Sequence, residues 1–297
     1  MLAVLVLVFV LAMALGVPVA FALGGASLAY LIVQGQIPLT AVPTTMFGGT
    51  DKFPLMAIPF FILAGELMNQ GGLTSRLVKF AQILVGHIRG GLAHVNVLVS
   101  MFFAGITGAA TADASAVGAI MIPAMVEDGY ENDFSAALTA ASSTIGPIIP
   151  PSIPMVIYGV SSGVSIGALF LAGVIPGILL GLSLMVMAYF LSGKHHSQKG
   201  RKGWPKLSEI IDGLKGTFPA LIMPALILGG ILAGVFTPTE AAVVAVVYAF
   251  VVGFFVYREL RLSQLPAILL NAGLATGTIL VVVATASIFG WILAMEQ

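Results

Sequence analysis

The sequence predicts an all-α polytopic membrane protein, and three observations carry that reading. Only 24 of the 297 residues are charged, 12 basic and 12 acidic, against roughly a quarter in soluble domains. Four stretches, 1–50, 90–112, 134–193 and 262–295, contain no Asp, Glu, Lys or Arg, and each exceeds the ~20 residues that a spanning helix needs. The 35 Gly and 16 Pro suit broken helices and tight hairpins inside a bundle. A soluble globular domain, a disordered chain and a nucleic-acid binder, which needs a basic face, are excluded. With no Cys, disulfide scaffolds, thiolate metal sites and thiol nucleophiles are excluded as well.

Residues 2–16 and 18–33 read as two spans broken at Gly16-Val17-Pro18, and 54–69 as a third. No basic segment precedes Leu2–Leu15 and apolar sequence follows directly, so a cleaved signal peptide is not expected. In 73–89, Leu73, Leu77, Phe80, Ala81, Leu84 and Ile88 recur on one helical face, with Arg76, Lys79, Gln82 and Arg89 mostly off it. That pattern predicts an amphipathic helix in the membrane interface. Residues 92–106 and 114–126 read as two short apolar helices, and 131–145 and 152–162 as a second short pair split by Gly146–Pro151. Residues 166–192 form a long span, followed by 217–235, 238–257 and 268–293.

Basic residues orient these spans. Lys194, Lys199, Arg201, Lys202 and Lys206 mark the loop after the long span as cytoplasmic. The 92–126 pair must then enter and leave from the cytoplasm as a re-entrant hairpin. Arg76, Lys79, Arg89, Lys215, Arg258 and Arg261 fall on the same side, so eleven of the 12 basic residues are inside and only Lys52 is outside. Both chain ends are placed outside.

An internal repeat is also visible. Pro18 in Leu-Gly-Val-Pro-Val-Ala-Phe-Ala aligns with Pro238 in Val-Phe-Thr-Pro-Thr-Glu-Ala-Ala, and Pro43 aligns with Pro266. The first span and its partner 217–235 run in opposite directions, which is the inverted repeat of many secondary transporters. The first repeat continues 150 residues past Pro43, to Gly193, and the second only 31 past Pro266. A mirror-image hairpin and broken helix are therefore expected beyond the second repeat, making the chain a truncated piece, about 70% of a transporter.

Two polar, Gly-rich breaks carry the chemistry: Gly105–Ser115 at the hairpin tip and Ser142–Ser152 in the next helix. Irregular backbone at membrane depth occurs where it lines a cavity or is buried in protein. Carbonyls and hydroxyls there suit Na⁺, and helix N-termini at Asp113/Ala114 and Pro151/Ser152 suit a carboxylate. Asp113 is the one carboxylate deep in the hairpin. It either helps to bind Na⁺ or caps the second hairpin helix. Thr107, Thr111, Ser115, Ser142, Ser143, Thr144 and Ser152 are candidate ligands or bond their own helices, and Gly108, Gly146 and Pro147 complete the candidate set, with Na⁺ expected near Asp113 and Gly146. Glu66 is expected to pair with Arg76 or Lys79, and Glu240 to sit in the first turn of a helix. His87 and His94 lack a third metal ligand, and His195 and His196 read as solvated. A Gly-Lys-Ser/Thr phosphate loop is absent, and nothing suggests ATP use. No nucleophile–base pair points to an enzyme. A passive channel remains compatible with the hairpin.

The segments 108–118, 121–130, 146–154 and 169–177, with 16–24 and 58–68, resemble the large membrane subunit of tripartite ATP-independent periplasmic (TRAP) transporters, and the likeness spans essentially the whole chain. The resemblance implies an ion-transporter-superfamily elevator fold. It implies a Na⁺-coupled importer in a bacterial or archaeal inner membrane, with Na⁺ as coupling ion and no other cofactor. A periplasmic substrate-binding protein would deliver a carboxylate such as a C4-dicarboxylate or a sialic acid, and a small four-helix membrane subunit would support the scaffold. Another Na⁺- or H⁺-coupled anion transporter is the alternative. On this reading, 1–72 are scaffold helices and 73–91 an arm helix. Residues 92–193 are half of the transport domain (hairpin 92–127, broken helix 131–162, span 166–192). Residues 194–216 are a basic cytoplasmic loop, and 217–297 begin the second repeat. The second hairpin and its broken helix are absent from the sequence.

Overall fold

The computed structural model describes residues 1–192 and 203–296. Lys194, His195, His196, Lys199, Arg201 and Lys202 lie outside the described residues. All regular structure among the described residues is helical, and five helices are long and apolar enough to cross a membrane: Phe53–Gln70, Ile166–Leu191, Leu207–Leu232, Pro238–Val256 and Leu262–Met295.

The chain forms two compact units. The first contains residues 1–55 and 273–297. Here α1 (Leu2–Ala14) ends before Gly16, whose φ of +79° reverses the chain, and Pro18 opens α2 (Val19–Gln34). A third helix, α3 (Ala41–Thr50), was not expected, because its Thr- and Gly-rich sequence favours turns over helix. Packing overrides that preference: Val42 and Met46, one turn apart, lie against the buried cluster of Leu5, Ala26, Tyr30, Leu31, Ile288 and Ile292. The close approach at Gly49 adds to it, since a Cβ there would sit 2.2 Å from the Ser287 hydroxyl. The Tyr30 hydroxyl donates to Glu296.

The second unit spans Met56–Ala272. It contains α4 (Ala57–Gln70), α5 (Leu73–Val85), α6 (Gly91–Thr107), α7 (Ala110–Glu127), α8 (Asn132–Ser143) and α9 (Ile153–Ser162). Then follow α10 (Ile166–Leu191), α11 (Leu207–Leu232), α12 (Pro238–Val251), a π-helical turn (Val252–Val256) and the start of α13 (Leu265–Met295). At its centre is α6, which touches α4, α5, α7, α8, α10 and α11. Thirteen of its 17 residues are buried, which explains why it reads as apolar all round. Gly173, Gly177 and Gly181, at successive turns of α10, let the break after α8 and the Met101 side chain approach. A Cβ at Gly173 would lie 2.3 Å from the Ile148 carbonyl oxygen, and one at Gly181 would lie 2.3 Å from the Met101 sulfur.

Several boundaries differ from expectation. The apolar stripe of α5 is covered by protein, since Leu73, Leu77, Phe80 and Ala81 are buried and the helix packs on α6 and α11. The span expected at 217–235 begins ten residues earlier, so 207–216 is helix rather than loop. Glu209 starts it by accepting a hydrogen bond from the Lys206 N–H at 2.9 Å. The helix expected at 114–126 begins at Ala110. The paired Pro motifs do share a local build: Gly16 and Gly234 are both left-handed, and Pro18 and Pro238 each open the following helix.

Candidate functional site

The hairpin turns in two residues. Gly108 is left-handed (φ +62°) and closes α6, Ala109 is extended, and Ala110 starts α7. The break in the next helix runs from Thr144 to Pro151. Ser152 ends it by accepting a hydrogen bond from the Met155 N–H at 3.3 Å and donating to the Pro147 carbonyl at 2.5 Å. The two breaks dock on each other. The Ile153 N–H donates to the Gly108 carbonyl at 3.4 Å. A Cβ at Gly108 would lie 2.3 Å from the Pro151 carbonyl oxygen, and one at Gly146 would lie 3.3 Å from the Ala110 nitrogen. Glycine at both positions is what allows backbone to meet backbone here.

This docking corrects one expectation about helix N-termini. Those of α7 and α9 were expected to hold a carboxylate together, but α9 has no donor left. Ile153 donates to Gly108, Pro154 has no N–H, and Met155 donates to its cap. The N–H groups of Ala110, Thr111 and Ala112 in α7 find no acceptor among the described residues, and Thr111 is exposed. One N-terminus is therefore open, not two.

Asp113 is the fourth residue of α7 and is completely buried. It is not the cap, because Ala109 occupies that place. Neither carboxylate oxygen has a hydrogen-bond donor within 3.5 Å in good geometry among the described residues. The hydroxyls of Ser100 and Ser143 are its hydrogen-bonding neighbours, but neither forms a close hydrogen bond to it, and both have other acceptors in reach. Ser143 donates to the Thr139 carbonyl at 2.7 Å. Ser142 lies 3.1 Å from the same carbonyl, and in the 3.0 Å Ser100–Ser142 contact either hydroxyl can donate. A buried carboxylate without a close donor is costly. It holds a proton or neutralises a cation, and the hydroxyl oxygens around it have lone pairs to offer.

The remaining candidates divide. Gly108, Gly146, Pro147 and Ser152 meet at the docked breaks, and Ser143 joins Asp113. Thr107 is buried but its hydroxyl bonds its own helix at the Phe103 carbonyl, 3.4 Å away. Thr144 is exposed and bonds the Ala141 carbonyl at 2.6 Å. Thr111 and Ser115 are exposed, two residues either side of Asp113 and so on the opposite face of α7. Ser100, Asn96 and Thr139 were missed. Their signal was the four-residue spacing of Asn96 and Ser100 on α6, matched by Ser135, Thr139 and Ser143 on α8.

Outside this cluster, Glu66 makes no ion pair among the described residues. Arg76 pairs instead with Glu259 at 2.7 Å, donates to the Gly72 carbonyl at 2.9 Å, and lies 4.0 Å over the Tyr257 ring. Glu240 closes a capping box: it accepts from the Thr237 N–H at 2.8 Å and its own N–H donates to the Thr237 hydroxyl at 3.3 Å. His94 bonds the Gly90 carbonyl at 3.0 Å, whereas the His87 ring lies 4.8 Å from the Trp204 ring, tilted by 39°.

A multi-pass helical bundle with a helical hairpin docked on a broken helix, around a buried carboxylate, has the build of secondary transporters. The comparison with known proteins narrows that class. The chain belongs to the family of the tripartite ATP-independent periplasmic transporter, DctM component, whose model matches residues 5–297. It is 46% identical over 284 residues to the sialic acid TRAP transporter large permease protein of Vibrio cholerae, covering 95% of this chain and 66% of that one. It is 42% identical to the sialic acid TRAP transporter permease protein of Haemophilus influenzae, covering 98% of this chain and 47% of the other. The C4-dicarboxylate TRAP transporter large permease protein of Rhodobacter capsulatus is 35% identical, with 95% and 67% covered. These relatives are permeases rather than enzymes, and the chain spans about half to two thirds of their length.

Proposed function

We propose that this chain is part of the large transmembrane subunit of a Na⁺-coupled secondary importer of carboxylates. Its substrate would be delivered by a periplasmic binding protein and its scaffold supported by a small membrane subunit, in the inner membrane of a bacterium or archaeon. The observation that carries the reading is Asp113, fully buried, with no close donor to either oxygen among the described residues and the hydroxyls of Ser100 and Ser143 beside it. Hard oxygen donors with one net negative charge fit Na⁺. Relatives named for sialic acid, isethionate and C4-dicarboxylate transport support an anionic substrate. The open N–H groups of Ala110, Thr111 and Ala112 could meet its negative charge. The resemblance to TRAP subunits supports movement of the hairpin and broken helix as an elevator.

The test is uptake by the full-length transporter with its partners in vesicles. Uptake should collapse when K⁺ replaces Na⁺, and Asp113→Ala should raise the Na⁺ concentration needed for half-maximal rate at least tenfold. Uptake indifferent to Na⁺ would overturn the coupling. If a pH gradient then drove it, Asp113 would be a proton site, which its unmatched oxygens also allow. Unitary conductance without a binding protein would identify a channel.

A further inference from the structure

The oxygens around Asp113 are the inner end of a longer polar seam. On α8, Ser135, Thr139, Ser142 and Ser143 are all buried. Each gives its proton back to its own helix: Ser135 to the Glu131 carbonyl (2.9 Å), Thr139 to Ser135 (2.8 Å), and both Ser142 and Ser143 to Thr139 (3.1 and 2.7 Å). The lone pairs are thereby left facing α6 and α7. Across from them, Asn96 is completely buried; its amide nitrogen donates to the Thr139 hydroxyl at 2.7 Å, and its Oδ1 has no partner among the described residues. Ser100, one turn further along α6, reaches Ser142 and Asp113. From Ser135 to Ser143 the seam extends about 12 Å along α8, with an oxygen every turn or less.

Such a seam has many acceptors and few free protons. It stabilises a cation passing through and repels a carboxylate. Its outer end, at Ser135, lies one turn from the start of α8 and the turn before it, where Glu127, Asp128, Glu131 and Asp133 fall within seven residues. Glu127, Glu131 and Asp133 are exposed and would concentrate cations at that mouth. The placement of basic residues puts this turn on the cytoplasmic face.

We infer that the α6–α8 seam is a cation path between Asp113 and the acidic α7–α8 turn, with Asn96 Oδ1 as a station along it. The inference rests on the Na⁺ reading of Asp113 and adds a direction: the ion leaves toward the cytoplasm by a route that the substrate does not share.

Thiol labelling tests it, because this chain has no Cys of its own. Ser135→Cys and Thr139→Cys would be made in the full-length transporter with its partners, on a background free of other thiols. Each would be treated from either face with aminoethyl methanethiosulfonate, a cation, or with the sulfonatoethyl reagent, an anion. The cationic reagent should react at least tenfold faster than the anionic one, from the cytoplasmic face, with Na⁺ slowing the reaction. A kinetic arm uses Asn96→Leu, which should weaken inhibition of uptake by interior Na⁺ by a larger factor than it changes the exterior Na⁺ requirement. Cysteines inert to both reagents, equal rates for cation and anion, or equal effects of Asn96→Leu on both faces would overturn the path while Na⁺-driven uptake stood. Uptake by the unmodified transporter that ignored Na⁺ would overturn the Asp113 reading, and the path with it.

Discussion

Replacing Gly108 by Ala should undo the docking of the hairpin on the broken helix. Two costs can be separated. A non-glycine residue at φ +62° costs about 1–2 kcal/mol in the left-handed region. The added Cβ would also lie 2.3 Å from the Pro151 carbonyl oxygen, whereas carbon and oxygen settle no closer than about 3.3 Å. Pro151 is backbone and cannot rotate away, so the two breaks must separate by about 1 Å. The Ile153–Gly108 hydrogen bond, already 3.4 Å long, would then open and leave a buried N–H unmatched, costing roughly another 1–3 kcal/mol. The total is on the order of 2–5 kcal/mol, and each 1.4 kcal/mol that falls on ion binding is a tenfold loss of affinity. Gly129→Ala is the control. Gly129 is also left-handed (φ +97°) but has nothing within 4 Å of its Cβ position, so only the conformational cost applies. The assay is thermal unfolding of the full-length transporter across a Na⁺ titration. Gly108→Ala should raise the half-stabilising Na⁺ concentration tenfold or more, whereas Gly129→Ala should lower stability by about 1 kcal/mol without shifting the Na⁺ response. Equal behaviour of the two variants would refute the idea that backbone contact between the breaks shapes the ion site.

Three further outcomes are expected. Arg76→Gln should lower thermal stability by about 1–2 kcal/mol through loss of the Glu259 pair and the Tyr257 contact, and more weakly in high salt because the pair is partly exposed. Its Na⁺ requirement should be unchanged, and a large shift in that requirement would show that the Arg76–Glu259 pair belongs to the ion site. Thr237→Val removes the acceptor for the Glu240 N–H and should cost about 1 kcal/mol by denaturation, again without effect on Na⁺; full stability would mean that the capping box is dispensable. Ser152→Ala deletes both the α9 cap and the bond to the Pro147 carbonyl, so it should lower stability by about 1–2 kcal/mol and weaken the Na⁺ response. Loss of stability with an unaltered Na⁺ titration would separate the break from the ion.

What was legible in the sequence followed from local rules. The span read at 166–192 is the helix Ile166–Leu191, and the break at Gly16–Pro18 is where α1 and α2 part, because charge-free runs and a Gly-x-Pro step act on their own residues. Arg76 and Glu259 are 183 positions apart, and no local pattern pairs them; Glu66, nearer in sequence, looked the better partner. The helix α3 was hidden because long-range packing, not propensity, holds it. Asp113 is the instructive case, since its role depends on a register of four residues. The run Thr-Ala-Asp-Ala-Ser reads as a capped helix start, and a cap would have had its oxygens occupied by backbone N–H groups. The start is set earlier, by Gly108, the one residue of the tip that turns left-handed. Once α7 begins at Ala110, Asp113 rotates off the open N-terminus and into the contact with α6 and α8, where the nearby hydroxyls of Ser100 and Ser143 have other acceptors in reach. The glycine therefore decides that the carboxylate faces a cation-favouring seam instead of its own helix, and moving the helix start back to Asp113 would remove the site without changing a single ligand.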